Sequence, residues 1–131
     1  MATIPWKGAG LDRLDGGRGK DTLYGGDGQD VFDFNSIKDS VKGSKRDTIE
    51  DFTHGANGDV IDLEDIDAKT GGGNQKFKFI GEHGFHGKKG ELHFKDLGAK
   101  CLVSGDVNGD GKADFEIMVK TDTLSADDFL L

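Results

Sequence analysis

The chain has 131 residues, enough for one domain with a modest core and too few for an enzyme with a separate substrate domain. Its 22 glycines, one proline and one cysteine, with 34% hydrophobic residues, imply many tight turns, little bulk to bury and no intramolecular disulfide. The 25 acidic residues outnumber the 17 basic ones for a formal net charge of −8, which argues against nucleic acid or an anionic membrane as the main partner. Only Glu50, Glu64, Glu82, Glu91 and Glu116 are glutamates, so the acidity is mostly aspartate, which suits turns and short-armed oxygen ligation. A divalent hard cation is the candidate for the staple such a chain needs. No apolar run approaches the roughly 20 residues of a membrane span, so no membrane insertion is expected. The start MATIPW has no basic-then-apolar signal pattern, and export would need another route.

In chain order, the first feature is a repeat of nine. Residues 7–15 (KGAGLDRLD), 16–24 (GGRGKDTLY) and 25–33 (GGDGQDVFD) align with glycines at the second position (Gly8, Gly17, Gly26) and the fourth (Gly10, Gly19, Gly28). The sixth position holds Asp12, Asp21 and Asp30, and the eighth is apolar in Leu14, Leu23 and Phe32. A decayed fourth unit, FNSIKDSVK over 34–42, keeps Asp39 and Val41 in register. Glycines two apart let the backbone turn sharply with its carbonyl oxygens to one side, a geometry that invites a cation. The aspartate adds charge and oxygen, and the last three residues of each unit suffice for a very short strand with one apolar side chain turned inward. Two units make one coil of strand, turn, strand, turn, whose successive turns stack about 4.8 Å apart, close enough for an ion to bridge them.

Residues 46–63 read as two short strands, TIEDF and VIDL, that end the coil, with Asp51, Asp59 and Asp62 as turn-forming or exposed-face residues. Residues 76–104 alternate around Phe77, Phe79, Leu92 and Phe94, the pattern of an antiparallel sheet with one buried face. His54, His83, His86 and His93 invite a zinc reading, but without HExxH they read as scattered loop histidines. The stretch GDVNGDGKADFE over 105–116 then sets Asp106, Asn108 and Asp110 at positions one, three and five of a calcium loop. Gly111 stands at six, the Lys112 carbonyl at seven and Asp114 at nine; Ile117 occupies the twelfth position in place of glutamate, so a strand-flanked loop is expected instead of a helix-loop-helix. The ending LSADDFLL over 124–131 offers Ser125 as a cap and a closing segment packed on the sheet.

The nonapeptide resembles the calcium-binding repeats-in-toxin signature. Together with the D.I.DF and D.IDL pair, the GDVNGDG.ADF stretch and the L..DDF.L ending, it makes residues 7–131 similar to the C-terminal domain of serralysin-type secreted metalloproteases, without the protease domain. The resemblance implies an all-β fold: a short parallel β-roll of calcium-stacked coils over 7–42, then an antiparallel β cap over 43–131. It implies several calcium ions, held by backbone oxygens at Gly8, Gly10, Gly17, Gly19, Gly26 and Gly28 and by the carboxylates of Asp12, Asp21 and Asp30, with Asp47 and Asp39 closing the last sites. Lys7 replaces the first glycine of its unit and weakens the match there. The resemblance also makes Asp128, Phe129, Leu130 and Leu131 an uncleaved C-terminal signal read by a type I secretion apparatus. The implied location is secreted and extracellular, in a Gram-negative bacterium. A non-catalytic calcium-binding, folding and secretion module is the expected function, and the uncapped N-terminal coil leaves room for end-to-end self-association. An extracellular carbohydrate- or surface-binding module is the alternative, for which Trp6 and Tyr24 are the obvious stacking residues besides phenylalanine. For an enzyme in its own right the sequence offers no metal triad, nucleophile-base pair or nucleotide loop.

Overall fold

The computed structural model describes residues 2–4, 12–14, 20–24, 29–35, 37, 39–41, 43, 46–53, 58–64, 66, 76–121 and 123–131, with 2–4 and 12 described by backbone alone. Among these, the strands are β1 (Ala2–Ile4), β2 (Asp12–Leu14), β3 (Asp21–Leu23), β4 (Asp30–Asp33), β5 (Asp47–Ile49) and β6 (Val60–Asp62). They continue as β7 (Lys78–Phe79), β8 (Glu91–Asp96), β9 (Cys101–Asp106), β10 (Phe115–Val119) and β11 (Phe129–Leu130), preceded by a 3₁₀ turn at Ala126–Asp128. The fold is all-β, as expected.

The nine-residue period sends successive strands to alternate sheets. Of β1 to β6, the odd strands join one sheet, in the order β1-β3-β5-β10-β9-β8-β7, and the even ones the other, in the order β11-β6-β4-β2. All pairing between β1 and β6 is parallel, with Asp12 opposite Asp30, Leu14 opposite Phe32 and Leu23 opposite Ile49. Registered stacking builds two apolar ladders that face each other. Leu14, Phe32, Ile61 and Phe129 form one and Leu23, Ile49 and Val119 the other, each at 6% exposure or less. Burying each such side chain is worth about 1.5–3 kcal/mol, so these ladders carry the roll's packing energy.

Parallel stacking runs past the expected boundary at residue 42. β5 and β6 are further rungs of the two sheets, β10 adds to β5 in parallel, and β11 adds to β6 with Phe129 opposite Ile61. The roll is therefore closed by strands from the end of the chain. Beyond it, β8, β9 and β10 form the antiparallel sheet read from the alternation, with Phe77, Leu92 and Phe94 buried. One pairing differs from expectation: β7 is parallel to β8. The connection over residues 80–90, turned by Gly81, Gly87 and Gly90 at φ of 66°, 74° and 86°, brings the chain back to start β8 in the same direction. The Lys78 N–H donates to the Gly90 carbonyl at 2.7 Å and the Ile80 N–H to that of Leu92 at 2.9 Å. Gly105 admits the Phe115 ring from the neighbouring strand; a Cβ there would lie 2.3 Å from Phe115 Cε1.

Candidate metal centres

Two kinds of acidic site emerge, one in the roll and one in the loop between β9 and β10. In β3, β4 and β5 of the roll, the aspartate that opens the strand is buried at its turn end. Asp21, Asp30 and Asp47 are exposed by 1% or less. The Asp21 N–H donates to Asp47 Oδ1 at 2.8 Å, so the carboxylate of one rung caps the strand of the rung before it. Asp47 Oδ2 is buried without a hydrogen-bond partner among the described residues. Burial pushes the Asp47 carboxyl up to about 7; the Asp21 N–H bond opposes this, and the nearby carboxylates of Asp21 and Asp39 add to it. Asp39, itself buried, accepts the Asn35 N–H at 3.0 Å, and Ser40 Oγ accepts the Asp47 N–H at 2.8 Å while donating to the Glu116 carbonyl. Asp21, Asp39 and Asp47 thus converge at one edge of the roll.

On the opposite sheet the same device recurs with a residue the sequence reading misplaced. The Asp30 N–H donates to Asp59 Oδ1 at 2.8 Å and the Thr53 N–H to Asp59 Oδ2 at 2.9 Å. Asp59 is 1% exposed, and burial raises its pKa against those two bonds. It is no exposed strand-face residue; it stands to Asp30 as Asp47 stands to Asp21. The signal was present, since RDTIED and GDVIDL both place aspartate two residues before isoleucine. Asp62 is also buried: its Oδ1 accepts the Glu64 N–H at 2.9 Å, a turn role as expected, while Oδ2 takes the Arg13 guanidinium, which also reaches Asp33 at 3.3 Å. Asp12 pairs opposite Asp30 by backbone. Gly8, Gly10, Gly17, Gly19, Gly26 and Gly28, whose carbonyls the sequence nominated, lie outside the described residues.

The loop site is local. β9 ends on Asp106, fully buried, and β10 starts at Phe115, so the loop is strand-flanked as the missing position-twelve glutamate implied. Asp106 Oδ1 accepts the Gly109 N–H at 2.8 Å and its Oδ2 the Gly111 N–H at 2.9 Å; both glycines sit near φ +80°, where a side chain is strained. Asn108 Oδ1 accepts the Asp110 N–H at 3.1 Å, Asp110 Oδ1 the Lys112 N–H at 2.9 Å, and Asp114 Oδ2 the Val107 N–H at 2.7 Å. These bonds fold the loop so that carboxylate oxygens of Asp106, Asp110 and Asp114 lie within 4.8 Å of one another. An all-oxygen, acid-rich set suits a hard divalent cation better than a thiolate- or imidazole-seeking one. Asn108 and Lys112 help shape the loop through these bonds.

The histidines form no such set among the described residues. His86 Nδ1, on an exposed side chain, lies 2.6 Å from Oε2 of the buried Glu91, and His93, in β8 and not in a loop, packs edge-on to Phe85 at 4.3 Å. At the chain's end Ser125 and Asp128 form a capping box, with the Ser125 N–H donating to Asp128 Oδ2 at 2.7 Å. Asp128 and Phe129 are buried, while Leu130 is 38% exposed.

Stacked parallel rungs with inward aspartates at their turn ends define a β-roll of the repeats-in-toxin class. More narrowly, residues 7–131 match the family model described as Peptidase M10 serralysin C terminal, and the chain belongs to that family. No curated protein sequence matches it significantly. Among solved structures it is similar to the solution structure of the AlgE6R2 subunit from the Azotobacter vinelandii mannuronan C5-epimerase, at TM-score 0.62 and 28% identity over 96% of this chain and 73% of that one. The AlgE6R3 subunit of that epimerase is similar at TM-score 0.57 and 26% identity, over 98% of this chain and 66% of that one. No helix among the described residues is long and apolar enough to cross a membrane.

Proposed function

We propose that this chain is a non-catalytic calcium-binding module that folds on its ions outside the cell and carries a C-terminal type I secretion signal, as the tail of a secreted enzyme such as a metalloprotease. The observation that carries this reading is Asp47: a buried carboxylate beside two others, its Oδ1 capping the Asp21 strand and its Oδ2 without a partner among the described residues, so that its charge is left to be met by a cation. Bound calcium would supply that charge. Asp21 and Asp47 on one sheet with Asp39 near them, Asp30 and Asp59 on the other, and Asp106, Asp110 and Asp114 in the loop are the groups to hold it. Without a cation, the clustered carboxylates repel and the glycine-rich turns cost conformational entropy, so the roll is loose. Extracellular calcium modules bind with dissociation constants of about 10⁻⁴–10⁻³ M, a range that leaves the chain unloaded in a cytosol poor in free calcium and loaded outside.

The terminal segment supports the same order of events. Asp128 and Phe129 are buried in the folded state, so a secretion machine reading Asp128, Phe129, Leu130 and Leu131 meets them before the roll closes on β11. Asp30→Ala is expected to raise the calcium concentration at the midpoint of folding, followed by circular dichroism, well above that of Asp65→Ala. Equal midpoints would sink the assignment of the roll aspartates.

A further inference from the structure

The net charge of −8 is a sum, and the fold separates its parts. The aspartates described above turn into the roll and the calcium loop. The face of the seven-stranded sheet directed away from the core is basic. Side chains alternate across a strand, so this face carries one register row of Thr22, Thr48, Met118, Leu102 and Lys95. Toward its β7 edge, Lys76, Lys78, Lys88 and Lys89 line a groove of about 640 Å³ with Ile80 and Gly90. Nearer the roll, Lys20, Arg46, Lys100 and Lys120 border a second depression of about 320 Å³. Three glutamates of this face are each held by a neighbouring side chain: Glu91 by the His86 ring at 2.6 Å, Glu116 by Arg46 at 3.2 Å and Glu50 by Lys120 at 2.7 Å. They offset little of the remaining charge.

We propose that this face binds an acidic polysaccharide, a chain of uronate sugars lying across the strands. Together the two basic clusters reach from β7 to β3, five strand spacings or on the order of 25 Å, a span that one small anion does not cover and a chain of repeated carboxylates does. The cations are lysines apart from Arg46; Arg46 is engaged by Glu116 and the Gly43 carbonyl and Lys120 by Glu50, while point charges of the lysine kind suit single carboxylates spread along a chain. The Thr22 and Thr48 hydroxyls and the half-buried Tyr24, close enough to Lys120 to act on its charge, offer a sugar ring hydrogen bonds and an aromatic surface. Phe85, packed on His93, stands far across the same face, so the rings do not form the successive steps on which neighbouring nucleobases stack. This inference is independent of the export reading.

The test uses calcium-loaded, isotope-labelled protein and short uronate oligosaccharides, with binding followed by amide shifts. Shifts centred on Thr48, Lys78, Lys88 and Lys100 are expected, with affinity falling as salt rises. The double variants Lys78→Gln/Lys88→Gln and Lys100→Gln/Lys120→Gln should each bind roughly tenfold more weakly while keeping their calcium-dependent circular dichroism. Absence of binding overturns the proposal. So do shifts confined to residues 106–114, which indicate sugar held only through the cation. Equal affinity for a neutral oligosaccharide, a DNA oligonucleotide or polyglutamate overturns it too, because recognition would then lack either the charge or the sugar.

Discussion

Asp47→Asn isolates the electrostatic cost that the roll carries before any ion arrives. The Asp47 carboxyl is pushed from its ordinary 3.8 up to about 7, chiefly by burial. A folded-state pKa above the unfolded one means that the folded chain holds the proton more tightly. Its contribution to stability is complete below about pH 4 and is lost as pH rises through about 7. At 1.36 kcal/mol per pH unit the loss amounts to about 4 kcal/mol, a large part of the 5–15 kcal/mol that holds a typical domain together. Asparagine keeps the oxygen that accepts the Asp21 N–H and removes the charge. In a chelator at pH 8 the variant should therefore hold more β signal than the loose parent, its folding equilibrium shifted by about 2–4 kcal/mol, and the difference should shrink toward pH 5. Calcium should stabilise the variant less than the parent, so the order of stabilities reverses when the ion is added. A variant less ordered than the parent at pH 8 without calcium, or a parent whose calcium-free β signal is flat between pH 5 and 8, would refute the reasoning.

The loop, the sheet and the closing strand each give a separate test. Asp106→Ala should abolish terbium luminescence from the loop and cost about 1–3 kcal/mol even in chelator, since the Gly109 and Gly111 N–H groups lose their buried acceptor; an unchanged luminescence titration would move the ion elsewhere. Gly105→Ala forces a Cβ against Phe115 and should cost about 1–3 kcal/mol in urea melts of the calcium-loaded protein, and no change would contradict the β9–β10 register. Phe129 is 6% exposed with its ring 5.2 Å from that of Phe79, so Phe129→Ala should lower stability by about 3–5 kcal/mol; a neutral outcome would mean that β11 does not close the roll.

What the sequence made legible was what it encodes locally. Leu14, Leu23 and Phe32 recur every nine residues, each buried in the core, so a coil of strand, turn, strand, turn could be read from spacing, and the resemblance to the repeats-in-toxin signature made it a roll. The Asp106–Asp114 loop was legible for the same reason, its converging carboxylates lying within nine residues and its bends requiring glycine. Pairings set by distant chain were hidden. Nothing near Phe129 says that it will lie opposite Ile61, and nothing in residues 76–92 says that β7 runs parallel to β8, because both are decided by where the chain returns. Asp59 was missed because the period is broken: the connections before and after β5 lengthen, and an aspartate that does the work of Asp47 no longer stands at a fixed interval from Asp30. The basic outer face was masked by a net charge that adds inward aspartates to outward lysines.

The most direct test of the central claim is far-ultraviolet circular dichroism of the whole chain titrated with calcium, with magnesium as the control. A cooperative gain of β signal with calcium, at concentrations of about 10⁻⁴–10⁻³ M and not with magnesium, is the predicted result. A chain equally folded in chelator, calcium and magnesium would contradict it, because the two apolar ladders would then hold the roll against its own buried carboxylates.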